Sequence, residues 1–364
     1  MKNIIIIIIA LVLTWSISNA QDFRFSQFDL NPIYMNPAYS GSNKDLRIGL
    51  NYRNQWFNVP GQTLPGPLSS YNLTIDKRFG NILIGGLSLN LFQSYKGEGL
   101  YKHSHAGLNY SWHLPLRTKD FNMYFGLGLS YNSIGIDFSK LVFTDQISVL
   151  GGYLNTPSSF LPQTEGIRHY LDANAGIVVK GNMGRSTSGE FSFSVNHLNS
   201  PNISLNNQNE GLERKYTGFG SLSFKLKKNK IYLNPKVMIE YQNPFKTFTF
   251  GTNFYVVNSY YYANMQNFTK PIYFGLYYQT SVFEFNTTNS MILLAGHTGR
   301  FGTSNTRYQV GASIDVNVGG LNLRSNVTGE ISLNIILDTQ NTRKQRRKRQ
   351  GKCQMWQGNP LSPL

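Results

Sequence analysis

Residues 121–131 read FNMYFGLGLSY. Phe121, Met123, Phe125, Leu127, Leu129 and Tyr131 share one parity, and Asn122, Tyr124, Gly126, Gly128 and Ser130 share the other. Successive side chains of a strand point to opposite faces, so one face is wholly apolar and the other mostly small and polar. The same period of two runs through LRIGLNYRN (46–54), where Leu46, Ile48, Leu50 and Tyr52 oppose Arg47, Gly49, Asn51 and Arg53. It recurs in YQVGASIDV (308–316) and EISLNIIL (330–337).

Extended along the chain, the pattern predicts strands near 46–54, 69–78, 82–92, 100–112, 121–133, 170–180, 190–197, 213–227, 231–241, 246–257, 270–280, 289–298, 306–317 and 328–338. Most reach the roughly 9–11 residues that a tilted strand needs to cross a membrane. Pro235 in the ninth argues for a bulge or an edge. The twelfth alternates weakly. Tyr and Trp gather toward strand ends, as interfacial girdles require: Tyr52, Tyr101, Tyr110, Trp112, Tyr131, Tyr255, Tyr260, Tyr261 and Tyr262. A secreted β-sandwich shows the same alternation. The aromatic ends and the Gly, Asn and Ser of the second face favour an all-β, transmembrane antiparallel β-barrel of about fourteen strands, of the outer-membrane type, over residues 46–338.

Composition agrees. Charged residues make up 14% and aromatics 14%, with 22 Tyr and 24 Phe. A soluble domain usually carries about a quarter charged residues. Lys2, the apolar run Ile4–Leu13 and Ser18-Asn19-Ala20 read as a secretory signal peptide over 1–20, cleaved between Ala20 and Gln21. No later run of about 18 apolar residues predicts a membrane helix. Cys353 is the only cysteine, so no internal disulfide framework is available. The net charge of +16 is uneven: residues 339–364 hold seven basic side chains (Arg343, Lys344, Arg346, Arg347, Lys348, Arg349, Lys352) and no acidic ones.

With the N-terminus inside, connections 53–69, 134–169 and 198–212 fall outside, while 79–81 and 227–230 fall inside. The connection at 258–269 is then long on the inner side, and 242–245 short on the outer. Fourteen strands return the chain to the periplasm, which predicts both termini there. The outer loop 134–169 carries Phe143, Tyr153 and Phe160.

Little carries chemistry. His103 and His105 share one strand face without a third ligand nearby, which reads as a polar lumen wall rather than a metal site. His297 reads as a turn histidine next to Arg300. No catalytic or cofactor-binding set emerges, so no enzyme, no cofactor and no metal are expected. The basic tail is either solvated or a docking strap for an acidic protein face or anionic lipid; an exported protein has little use for nucleic-acid binding.

Ahead of the first strand stands FSQFDLNPIYMNPAYSG (25–41), with Asn31-Pro32 and Asn36-Pro37 five residues apart. Proline excludes both helix interior and ladder, so these pairs pre-set turns, and Tyr34, Met35 and Tyr39 give the turns something to bury. The segment 21–45 could narrow the lumen as a plug, lie beneath it as a docking platform, or simply cap the first strand.

Phe25-Ser26-Gln27-Phe28, Asn31-Pro32, Asn36-Pro37-Ala38-Tyr39-Ser40-Gly41 and then YRNQW (Tyr52 to Trp56) resemble the PorP/SprF family of the type IX secretion system of Bacteroidetes. The likeness continues in GLYYQ at Gly275, GASIDV at Gly311, GEISLNI at Gly329 and a basic tail with one cysteine, Cys353. The Pro-rich VPGQTLPGPLSSY (59–71) and the ending QMWQGNPLSPL depart from the family pattern. The resemblance implies an outer-membrane barrel for secretion and surface presentation of adhesins or other cargo with a C-terminal sorting domain. It also implies periplasmic ring and lipoprotein partners and, in some lineages, gliding motility. A diffusion porin or nutrient channel is the alternative. Under the resemblance, Phe25, Gln27, Phe28, Asn31, Pro32, Tyr34, Asn36, Pro37, Tyr39, Gly41, Arg53 and Trp56 are the residues expected to act as plug or partner site.

Overall fold

A computed structural model describes residues 22–337 apart from 44, 57–67, 80–84, 98–100, 116–120, 139–140, 148–151, 153–155, 157, 160–165, 185, 206–208, 228–230, 263–264, 284–285, 302–305 and 319–326; side chains are not described at 115, 227, 258–270 and 283–288. The signal peptide, Ala20, Gln21 and the basic tail therefore lie outside the described residues.

Fourteen strands follow one another: β1 (Leu46–Gln55), β2 (Leu68–Phe79), β3 (Gly85–Lys96), β4 (Tyr101–Pro115), β5 (Phe121–Ile136), β6 (Ile167–Asn182), β7 (Thr187–Asn196), β8 (Lys215–Lys227), β9 (Ile231–Gln242), β10 (Phe245–Tyr262), β11 (Met265–Phe283), β12 (Asn286–Arg300), β13 (Arg307–Asn317) and β14 (Val327–Leu337). Each pairs antiparallel with its sequence neighbours, and β14 returns to β1 through Leu46↔Leu337 to Asn54↔Gly329. Closure leaves every strand paired on both sides, the condition for spanning hydrocarbon with strands.

The alternation that sets the strands also sets the faces. Leu127 and Leu129 are 52% and 70% exposed on the outside, while Tyr124 and Ser130 of the other parity are buried. Leu50, Tyr52, Val310, Ile314 and Ile331 likewise face out, and Arg47, Asn51, Ser313 and Glu330 face in. Exposed apolar rows all around a closed sheet are the reverse of a soluble barrel. The chain is a multi-pass outer-membrane β-barrel.

Several expectations need correction. The loop foreseen at 258–269 is a hairpin: β10 and β11 run on through Ser259↔Thr269 and Tyr260↔Phe268, leaving only 263–264 between them. Its scattered Asn and Ser look like loop residues, yet ladder bonds satisfy their backbone equally well. Pro235 sits at no edge, because the barrel has none. Opposite it, the Leu222 carbonyl accepts from the Asn234 side-chain amide at 2.7 Å, replacing the donor that proline lacks. Tyr255 is no girdle residue; it is buried beside Tyr273, with ring centroids 5.1 Å apart. Tyr52, Trp112 and Tyr131 do face outward, and the side chains of Tyr260, Tyr261 and Tyr262 lie outside the described ones. His297 belongs to β12 rather than to a turn.

The connections 80–84, 116–120, 183–186, 228–230, 263–264 and 301–306 are all short and share one end of the barrel with Leu46 and Leu337. The long connections 56–67, 137–166 and 197–214 are at the other end, with 97–100, 243–244, 284–285 and 318–326.

Candidate functional site

Residues 22–42 lie inside the barrel and pass through it from one end to the other. Asp22 is at the long-connection end, where its N–H donates to Gln242 Oε1 at 3.0 Å and its carboxylate meets His197, the residue after β7. Ser40 and Gly41 are at the opposite end, against Ser88 of β3 and Asp76 of β2. The segment then turns back into β1.

Its local shape follows from the two Asn-Pro pairs. Pro32 starts a single turn of helix, α1 (Pro32–Met35), and Pro37 starts a 3-10 turn over Pro37–Tyr39. Proline suits the first helical position because its fixed φ fits and its missing N–H would be unpaired there anyway. Asn36 joins the two turns: its Oδ1 accepts from the Ala38 amide at 2.8 Å. Its amide nitrogen faces the wall, 2.8 Å from Ser192 Oγ and 3.0 Å from the Phe193 carbonyl.

The wall meets the segment with both chemistries. Phe28, Ile33, Met35, Ala38 and Tyr39 form one apolar cluster with Tyr124, Val178, Phe219, Met238, Tyr277 and Ile292 from the strands. Burying such a side chain fully is worth about 1.5–3 kcal/mol each. Phe25 packs edge-on against Tyr34 at 5.0 Å, and Tyr34 against Phe92 of β3 at 5.5 Å. Gln27 donates from its side chain to the Glu330 carbonyl at 2.8 Å, and its backbone N–H reaches Glu330 Oε1 at 3.1 Å. Asn31 accepts from Asn72 at 2.9 Å, and the Leu30 carbonyl accepts from Asn334 at 2.9 Å.

Charge pairs complete the seal. Lys236 of β9 binds Asp29 within the lumen, and Asn253 adds a hydrogen bond to the same carboxylate at 3.2 Å. Arg53 lies 2.9 Å from Asp315 and 3.1 Å from Glu330, and it also donates to the Ser26 hydroxyl. Arg47 and Asp76 form a buried pair at 2.6 Å, and Asp76 accepts the Gly41 amide at 3.0 Å. Tyr39 donates to Glu190. His197 is buried, which disfavours its charge, yet Asp22 and Asp172 outweigh burial and push it up to about 10. Burial alone would raise Asp22, but His197 holds it below the usual carboxylate range.

Close approach requires glycine at two places. Gly41 has φ +61, and any side chain there would strike the Gly86 backbone 2.5 Å away. A side chain on Gly126 would collide with the Ala38 backbone lying over it.

Phe25, Gln27, Phe28, Asn31, Pro32, Tyr34, Asn36, Pro37, Tyr39, Gly41 and Arg53 are thus all brought into the lumen. Trp56 is not: it closes β1 with φ 58 and is exposed. His103 and His105 line the lumen and both approach Asn132 Oδ1, at 3.4 and 2.8 Å; no group of three metal ligands occurs among the described residues. In the connection 137–166, Phe143 is half-buried, and Tyr153 and Phe160 are outside the described residues. Sequence reasoning missed the paired lumenal charges Arg47, Asp76, Lys236, Asp315 and Glu330. Their signal was a charge on the parity opposite each apolar row.

No curated protein matches this chain. Among solved structures it is similar to a mutant monoaromatic hydrocarbon channel, TodX deltaS2S3, at 11% identity over 86% of this chain and 95% of that one, with a TM-score of 0.48. A FadL homologue of Pseudomonas aeruginosa is similar at 10% identity, 83% and 92% coverage and a TM-score of 0.46. A bacterial polysaccharide outer membrane secretin follows at 9% identity, 81% and 98% coverage and 0.43. The family described as type IX secretion system membrane protein PorP/SprF matches residues 17–335, nearly the whole chain beyond its first residues, and the protein belongs to it.

Proposed function

We propose that this outer-membrane barrel of the type IX secretion system is a closed platform, rather than a pore, that holds or delivers surface cargo at its long connections. The observation that carries the reading is the filled lumen: residues 22–42 contact the wall from Gln242 at one end to Ser88 at the other. A diffusion porin or nutrient channel needs an open polar lumen, and the apolar cluster around Phe28 and Ile33 argues against one.

Short turns on the periplasmic side and longer loops outside are usual for such barrels, so the end with 137–166 and 197–214 is assigned to the cell surface. On that assignment Asp22 lies at the surface end of the lumen, and β14 returns the chain toward the periplasm. There the basic residues 343–352 and Cys353 would serve as a docking strap for ring or lipoprotein components of the same machine. Adhesins, or other cargo with a C-terminal sorting domain, are the proposed clients, with gliding motility as one outcome of their display.

Conductance in planar bilayers, for the full chain and for a chain lacking residues 22–42, tests the closed platform. The full chain should be silent and the deletion conducting; equal conductance would sink the idea. A gene knockout that abolishes one surface adhesin but spares solute uptake supports cargo display, and the reverse supports the porin. Loss of periplasmic partners on removing 339–364 tests the strap.

A further inference from the structure

On the outward face of β14, β1, β2, β3 and β4 the chemistry is graded along the strands. Across β14, β1, β2 and β3 the register sets Leu333, Leu50, Leu73 and Leu91 side by side. One row nearer the long-connection end stand Ile331, Tyr52, Tyr71, Gln93 and, on β4, Ser104. One row further, Tyr95 pairs with Lys102. Successive rows are two residues, or about 6.5 Å, apart along a strand. A groove of about 450 Å³ spans the first two rows. Tyr52 and Tyr71, with centroids 5.1 Å apart, stand along it.

Gln93 and Ser104 are the polar pair that lines the groove. They face each other across β3 and β4 on the membrane side, beside Tyr71, Tyr52 and Ile331 in one direction and Ser133 of β5 and His169 of β6 in the other. A buried amide or hydroxyl costs free energy unless a partner hydrogen-bonds it. Lys102 is exposed beyond them, its ammonium 5.9 Å from the Tyr95 ring. Along the strand the order is apolar trough, hydrogen-bonding pair, cation. An acyl lipid has the same order of parts: hydrocarbon, ester or amide carbonyl, phosphate.

We propose that this groove binds one phosphorylated acyl lipid of the surrounding leaflet. An acyl chain lies against Leu50, Leu73 and Leu91, its carbonyl accepts from Gln93 or Ser104, and its phosphate meets Lys102. The groove opens directly onto hydrocarbon, so a lipid is the molecule already in contact with it. A second rim cation, Lys246, lies 5.7 Å from the Tyr241 ring and stands above Phe248 and Ile239, away from the groove, with Thr280 and Asn289 further along the same row. It provides the control.

The full-length barrel is reconstituted in nanodiscs of mixed phosphatidylglycerol and phosphatidylcholine, and the lipids it keeps on release are counted by native mass spectrometry. The native protein should keep one phosphatidylglycerol, favoured over phosphatidylcholine by about fivefold, the worth of one lysine at a membrane surface. Lys102→Glu should abolish the preference, Ser104→Trp should fill the groove and remove the lipid, and Lys246→Glu should change neither. Heat-modifiable migration on gels checks that each variant is a folded barrel. Equal effects of Lys102→Glu and Lys246→Glu, retention that ignores Ser104→Trp, or displacement of the lipid by inorganic phosphate alone would each overturn the site.

Discussion

Asp22 Oδ2 lies 2.7 Å from His197 Nε2, and the other ring nitrogen of His197 is 2.8 Å from Asp172. One imidazole thus fastens the far end of the lumenal segment to β6 and to the connection after β7. Lys215 and His103 also act on Asp22 electrostatically. His197 is raised from 6.5 to about 10, so its stabilisation is complete below 6.5 and fades as pH rises through about 10. Asp22 is lowered from 3.8, so its share is present above 3.8 and is lost as acid protonates it. A nitroxide on a cysteine placed at Phe23, with Cys353→Ser, should be immobile at neutral pH and become mobile above about pH 10 and in strong acid. His197→Gln should make it mobile at pH 7; unchanged immobility would remove the latch.

Gly126 lies beneath Ala38 with no room for a side chain. Gly126→Val suits a strand and should leave the barrel folded, yet it should drive the segment off the wall. Single-channel recordings should then show open events that the native protein lacks.

Asp29 and Lys236 form a lumenal ion pair in which the Lys236 side chain is 1% exposed. Removing one partner of such a pair typically costs about 3–5 kcal/mol, because the other charge stays buried alone. Asp29→Ala should lower the urea midpoint accordingly, and adding Lys236→Met should restore much of it. An additive double mutant would mean the two groups do not interact.

Leu129 is the most exposed apolar side chain of β5. If it meets lipid near mid-depth, Leu129→Arg should cost about 2–4 kcal/mol in bilayer unfolding measurements. Ser130→Ala, one position along and facing the lumen, should cost far less. A soluble environment would make the arginine harmless.

The strands were legible because alternation is local. FNMYFGLGLSY shows its two faces without any partner, and β5 begins at Phe121 where the pattern does. Ends were less legible. Tyr95 and Lys96 extend β3 because they pair with Lys102 and Tyr101, contacts that depend on the next strand. Two large lumenal side chains, Tyr255 and Tyr277, look like any strand tyrosine until their hydrogen bonds and ring neighbours are in place. The Asn-Pro pairs announced turns, but nothing in their spacing said which wall would receive them.

The sequence by itself determined that this chain is a sheet with one greasy and one polar face, since side-chain parity needs only the backbone's own geometry. Tertiary structure alone decided that the polar face closes around residues 22–42 and that Asp22 emerges at the end opposite the start of β1. Those choices rest on contacts such as Ser26 with Glu330 and Leu30 with Asn334, each 304 residues apart in the chain. Hydrogen bonds and ion pairs of that reach have no periodic trace; they exist only once the ring has shut.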